Sequence, residues 1–347
     1  MNAPRLSLFP VFCLLLTPSA FAADSVGSLS WNAKPDADHY ARRCQARTSE
    51  RGLAPVGTLL WGTKRAWDGG QKTDERRSVL VSIDSEHLLQ ANAHVKAVRL
   101  LEGRLVTSPD ETRGLVGTVF QGTSGDGRPV EVAICGAEPA PSDPEVMWYR
   151  IEAWNPGARE WENPCISNGY VPDPRAMVVQ GLWTTRGDHQ DAPGRLTLAC
   201  ELGAISKCIN WGYKPWEVRQ GRSLADLHQA CTRMARADYC GDGRSHTPEY
   251  TTIDMYDALG VLSRTAKSSA SWDLSRASFE AAWAPDGATC LARTRDGRSV
   301  ASILAECPGR FHVARAVDLG AGDHCTVQRE GLSADAVLLR NHSYEQL

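Results

Sequence analysis

The densest run of chemically capable side chains lies between residues 228 and 257, where His228, Asp238, Asp242, His246, Asp254 and Asp257 fall in one short segment. An imidazole titrates near neutral pH and exchanges protons readily with a carboxylate. A fold that returned Asp242 and His246 towards His228, with Asp238 nearby, would therefore supply the acid and base of a hydrolase. Geometry limits the idea, because the ten positions from His228 to Asp238 amount to about 1000° of helical rotation and leave the two only loosely on one side. Structural roles compete for the same residues. His228 stands between Leu224 and Cys231 on an apolar face, where a half-buried histidine bonded to backbone is the commoner state. Asp242-Gly243 is turn chemistry, and Asp238 suits backbone N–H groups in a loop. Thr251 and Asp254 have the spacing of a helix cap. The stretch Asp238–Gly243 has too few oxygen ligands for a calcium loop. A serine-nucleophile elbow, a zinc-protease helix and a phosphate-binding glycine loop are all missing. No metal and no cofactor is expected.

A second candidate is aromatic. The chain has 11 tryptophans, and Trp211, Tyr213 and Trp216 bunch around Lys214-Pro215. Such a cluster serves as a platform for sugar rings or a protein partner, since aromatic faces bind apolar faces while their edges stay wet. It serves equally well as a lid on a core, with Lys214 over an indole as a cation–π pair.

Ten cysteines remain once Cys13 is set aside with the N-terminal segment: Cys44, Cys135, Cys165, Cys200, Cys208, Cys231, Cys240, Cys290, Cys307 and Cys325. An even number spread along an exported chain suggests disulfide staples on a protein that also has a core. Spacing leaves their pairing open. Neither Cys231/Cys240 nor Cys200/Cys208 has redox or zinc-ribbon spacing, and an oxidising compartment pairs thiolates away.

The elements that would position these groups change character near residue 200, with a domain boundary expected at about 185–195. Upstream, short β-branched runs at Val79–Ile83, Val95–Leu101, Leu105–Thr107, Val116–Gln121, Val130–Ile134, Val146–Ala153 and Met177–Trp183 alternate with turn residues. Thr123–Gly127 and Asn155-Pro156-Gly157 are hairpin signals, and an antiparallel sheet or small barrel is expected. Gly136–Pro144 and Asn163–Pro174 read as long polar connections, the first as a possible linker. Downstream, Ser223 with Asp226 suggests a capping box for a helix over about 224–238, stopped by Gly241 and Gly243. A second helix is expected after Thr251, with Ile253, Tyr256 and Leu259 on one face before Gly260. A third would carry Val300, Ile303, Leu304 and Cys307 before Pro308. Phe279–Trp283 and Thr289–Arg293 flank a Pro285-Asp286-Gly287 hairpin. The fold class is thus α+β: a signal segment at 1–22, a β-rich domain at 23–190 and a disulfide-stapled mixed α+β domain at 191–347.

Within that second part the motif Ala237-Asp238-Tyr239-Cys240 stands out. It is preceded by Cys200, Gly203-Ala204, Lys207-Cys208, Trp211–Trp216 and His228–Cys231, and followed by Gly241–Thr247. Over about 195–310 the chain resembles bacterial ADYC-domain proteins, and upstream Gly57–Thr63 is similar to them as well. The resemblance implies an exported bacterial protein and carries over no catalytic residue.

The N-terminus agrees with export. One positive charge within Met1–Arg5, an apolar run from Leu6 to Leu16, and Ala20 and Ala22 at the small-residue positions form a signal peptide cleaved between Ala22 and Ala23. Cys13 follows Phe12 inside the apolar run, which argues against lipidation. No later stretch has the roughly 20 apolar residues of a membrane helix. The formal net charge of -3 becomes -4 on loss of Arg5, and basic residues form no stripe, which speaks against a nucleic-acid partner. Arginine outnumbers lysine 31 to 7, as in a GC-rich bacterial genome. The sequence therefore points to a secreted or periplasmic binding or surface-associated module, with a glycan or protein as ligand. The hydrolase built on residues 228–257 is the alternative.

Overall fold

The computed structural model describes residues 38–45, 58–66, 74–92, 95–108, 112–141, 143–248, 250–313, 318–333 and 336–344. The signal segment and its cleavage point lie outside the described residues.

In chain order the first half carries β1 (Ser82–Gln90), β2 (Ala97–Leu101), β3 (Arg104–Ser108), the short helix α1 (Thr112–Leu115), β4 (Val119–Thr123), β5 (Pro129–Ala140), β6 (Asp143–Asn155), β7 (Glu160–Glu162), β8 (Ala176–Gln180), β9 (Leu182–Trp183), β10 (His189–Gln190) and β11 (Arg195–Cys200). The order β5-β4-β1-β11-β8-β6 closes on itself because β5 also pairs with β6, so these six antiparallel strands form a small barrel with β7 attached outside to β6. Period-two alternation explains the layering. Val132, Ile134, Tyr149, Ile151, Val178, Leu196 and Leu198 fill the interior, while Met177, Val179 and Ala199 form a second apolar face with Leu60, Trp61 and Trp183. The β2/β3 ribbon and α1 add Val98, Leu105 and Leu115 to the interior cluster.

The second half comprises α2 (Ala204–Asn210), the ribbon β12 (Val218–Arg219) and β13 (Arg222–Ser223), α3 (Ala225–Arg236), β14 (Ile253–Asp257), β15 (Ala277–Ala284), β16 (Gly287–Leu291), α4 (Val300–Glu306), β17 (His312–Val313), β18 (Val327–Gln328) and β19 (Leu339–Tyr344). Its antiparallel sheet has the order β14-β19-β15-β16-β18-β17. Helix α3 covers this sheet with Leu227, Ala230, Cys231 and Met234, spaced along one helical face. Helix α2 is shared: Ala204 and Cys208 join the α3 core, and Ile205 and Ile209 pack on the barrel.

The α+β class and the hairpins at 123–127, 155–157 and 285–287 are as the sequence predicts. Several elements differ. The segment after Thr251 is strand β14, not a helix, because its capping residues are used elsewhere: Thr251 Oγ1 donates to Pro248 O, and Asp254 accepts from the backbone N and hydroxyl of Thr265. Gly136–Pro144 is no linker, since β5 and β6 continue their ladder through Pro139↔Met147 to Ala140↔Asp143. The capping box at Ser223 does not form. Ser223 belongs to β13, its hydroxyl accepts from Ala225 N, and the N-cap of α3 is Leu224. The helix is stopped by Ala237 in the left-handed region at φ 50°, ahead of the glycines. Strand β11 lies beyond residue 190 yet sits between β1 and β8, so the first sheet closes at Cys200.

All ten cysteines among the described residues are paired: Cys44–Cys135, Cys165–Cys200, Cys208–Cys231, Cys240–Cys307 and Cys290–Cys325. Five disulfides belong to an oxidising compartment. Among the described residues no helix is long and apolar enough to cross a membrane.

Candidate functional site

The four residues proposed for acid–base chemistry do not converge. His228 is buried on α3, with Nε2 3.1 Å from Ile205 O and its ring edge-on to Trp183. Burial lowers its pKa to about 4, only partly opposed by the Ile205 hydrogen bond, so the ring is neutral at pH 7. His246 lies past the far end of the helix. Arg298 Nη2 donates to its Nδ1 at 2.7 Å, and Nε2 is 3.4 Å from Glu306 Oε2. Burial and the Arg298 charge lower its pKa, against the pull of Glu306 and Asp296. From His228 to the end of α3 the helix rises about 12 Å, so the two imidazoles belong to separate environments. Asp242 and His246 do line a common cavity, but the neighbouring Ser245 hydroxyl donates to Arg236 O and accepts from Thr58 N. It offers His246 no nucleophile.

Asp238 explains itself structurally. Its buried carboxylate accepts from Arg233 Nη1 at 2.6 Å and from the backbone N–H groups of Asp242 and Gly243. The whole Ala237–Cys240 motif works in this way. Ala237 ends the helix, Asp238 ties the following turn to Arg233, and Cys240 is bonded to Cys307. Tyr239 stacks on Trp283 at 5.5 Å and places its hydroxyl 3.1 Å from Glu280 Oε1, where it also accepts from Arg295 N at 2.7 Å. Glu280 and Arg295 form a fully buried pair through Nε and Nη2, and Asn341 and Ser343 supply further donors to the carboxylate. Burial and the Glu280 charge push the Tyr239 hydroxyl well above its ordinary pKa. It remains a neutral hydrogen-bonding group.

The aromatic cluster is also divided. Tyr213 is core, its hydroxyl 3.4 Å from Asp257 Oδ2. Trp216 packs on Gly103, where an added Cβ would lie 2.5 Å from the ring. Lys214 Nζ binds Asp143 at 2.6 Å and Glu217 at 2.9 Å instead of covering an indole. Trp211 alone reaches a cavity, of about 390 Å³, between the two halves. Leu59, Leu202, Ile253 and Met255 give this cavity an apolar lining, and Lys207, Asn168 and Thr247 add polar groups. Beside it stand Tyr250, 73 % exposed, and Tyr170, 81 % exposed, with ring centroids 5.9 Å apart and nearly perpendicular. Tyr170 belongs to the first half and Tyr250 to the second. Tyr250 has φ 61°, a left-handed conformation unusual for a bulky residue. The sequence gives no spacing signal for this pair, because eighty residues and eight elements separate its members.

Cys44, Cys135 and Glu152 bring three potential metal-ligand atoms within 4.8 Å of one another. The two cysteines are disulfide-bonded, and the Glu152 carboxylate accepts from Cys44 N at 2.6 Å. This donor set is not suited to a cation.

No curated protein and no solved structure matches the chain. The ADYC domain family does match, over residues 112–297, which is more than half of the chain and runs from α1 past β16. The match takes in both the barrel strands from β4 onwards and the Ala237–Cys240 motif, and the chain belongs to the ADYC domain family.

Proposed function

We propose that the chain is an exported bacterial binding module, without catalysis of its own, that takes a glycan at the cavity between its two halves. The observation that carries this reading is the exposed Tyr170/Tyr250 pair beside an apolar cavity that Trp211 also lines. Two large aromatic rings left in solvent and held nearly perpendicular fit the apolar face of a sugar ring, while Asn168 and Lys207 stand where hydroxyl groups would need partners. The left-handed backbone of Tyr250 costs on the order of 1 kcal/mol, and strain of this kind gathers at binding sites. Export rests on the N-terminal signal pattern and the five disulfides.

A screen of oligosaccharides by calorimetry and tryptophan fluorescence tests the reading. Trp211→Ala and Tyr250→Ala should each weaken binding of any glycan found by tenfold or more, and Trp216→Ala should leave it unchanged. Binding that ignores the first two substitutions, or a complete screen without a ligand, removes the proposal.

A further inference from the structure

A second cavity, of about 520 Å³, adjoins the first at Thr58 and is lined from both halves, by Arg65, Glu75 and Arg186 on one side and Arg236, Arg244 and His246 on the other. Its wall is rich in arginine, and the charges do not balance locally. Arg76 is matched by Asp74 and Arg244 by Asp242. The buried Glu75 is shared: its Oε1 accepts from Leu60 N at 2.8 Å and lies 3.6 Å from Arg65 Nη2 and 3.4 Å from Arg236 Nη2. Arg236 is 3 % exposed, and its Nε and Nη1 have no acceptor among the described residues. Arg186, on the exposed rim, makes no ion pair among the described residues.

A guanidinium held out of water with two nitrogens unmatched is costly, by roughly 1 to 3 kcal/mol for each unsatisfied group and more where charge is involved. The field is visible in a neighbour. Burial and the nearby Arg236 charge hold the Arg65 pKa below its ordinary value despite Glu75. An oxyanion entering this cavity would meet the planar fork geometry that guanidinium groups use for phosphate and carboxylate.

We propose that this cavity is an anion site, separate from the aromatic cleft, in which Arg236 and Arg186 bind the phosphate or carboxylate group of a small ligand. The volume exceeds that of a bare inorganic ion, so the natural ligand carries its anionic group on a larger body. The site does not depend on the glycan reading, and either can fail alone.

The test is thermal shift and calorimetry on the mature, disulfide-intact protein, titrated with inorganic phosphate in one arm and citrate in the other. Sodium chloride holds the ionic strength constant. Saturable stabilisation is expected in at least one arm, and the arm that saturates at lower concentration identifies the anionic group. Arg186→Ala, an exposed substitution, should raise the apparent dissociation constant at least fivefold. Arg236→Gln should abolish the response, and Arg236→Lys should restore part of it. If neither anion stabilises beyond chloride, or if Arg186→Ala and Arg236→Gln fold and bind as the parent does, the site is refuted. Should Arg236→Gln fail to fold, the Arg186→Ala titration decides.

Discussion

At the level of single residues, the segment 228–257 shows how one composition supports two opposite readings. Histidine and aspartate at these positions have the right types for catalysis, and their side chains are mostly committed to the fold: Asp238 to Arg233, Asp254 to Thr265, and His228 to a backbone carbonyl. The sequence made the bland state of His228 visible through its apolar helical face. It could not reveal that Tyr170 would meet Tyr250, because that contact depends on how the two halves dock. The buried state of His228 has a measurable consequence. Its folded pKa of about 4 lies below the ordinary value of 6.5, so the ring is neutral in the native protein. The stability this contributes is fully present above pH 6.5 and is lost as pH falls towards 4, amounting to roughly 3 kcal/mol at most. His246 shifts in the same direction, while the lowered pKa of Asp323 acts only below the ordinary carboxylate value of 3.8. Denaturant unfolding between pH 7 and 4 should therefore show a decline that His228→Gln makes shallower, with a remainder from His246. Equal slopes for the two proteins would mean that the buried imidazole is not what titrates.

At the level of elements, period-two alternation made most of the barrel strands legible, and turn chemistry located three hairpins. The failures have a common cause. Thr251 and Asp254 have capping spacing, but each bonds to a residue outside the predicted helix, and β14 is extended by pairing with β19 across Ile253↔Ser343 to Asp257↔Leu339. Long-range pairing outweighs a local signal worth about 1 kcal/mol. The same holds where α3 ends. Gly241 suggested helix termination, yet it is needed because the chain passes the β15/β16 turn: φ is +70°, and an added Cβ would lie 1.9 Å from Asp286 O. Gly297 has a similar φ of +75° with nothing within 4 Å. Gly297→Ala should thus cost only the left-handed backbone term, about 1 kcal/mol. Gly241→Ala should cost about 2 to 4 kcal/mol, since backbone must also move. Equal costs in urea unfolding would show that the turn does not press on Gly241.

At the level of the whole molecule, the disulfides fall into two groups. Cys44–Cys135 and Cys165–Cys200 lie within the first half, the other three within the second, and none joins the halves. Besides the packing of α2 on the barrel and the Lys214–Asp143 ion pair, the halves meet along one stripe of α3. Gln229 receives Trp183 Nε1 at 2.9 Å and donates to Gly187 O, Arg233 reaches Asp188 and Arg186 O, and Arg236 reaches Glu75. These three positions are spaced i, i+4, i+7, a helical face as regular as the apolar one. The match of the ADYC family from α1 past β16 spans this junction, so the family unit includes the docking stripe and not the motif region alone. Arg233 is the centre of the stripe, and its removal would leave the buried Asp238 carboxylate without its counter-charge, at a cost of about 3 to 5 kcal/mol. Calorimetry of the parent protein should show one cooperative transition. Arg233→Ala should split it, with the second half melting first and the barrel, stapled by its own two disulfides, melting near the original temperature. A variant that still unfolds in one unshifted transition would show that the halves are coupled through contacts other than this stripe, and the cleft and the adjoining anion cavity would then have to be treated as sites of a single rigid body.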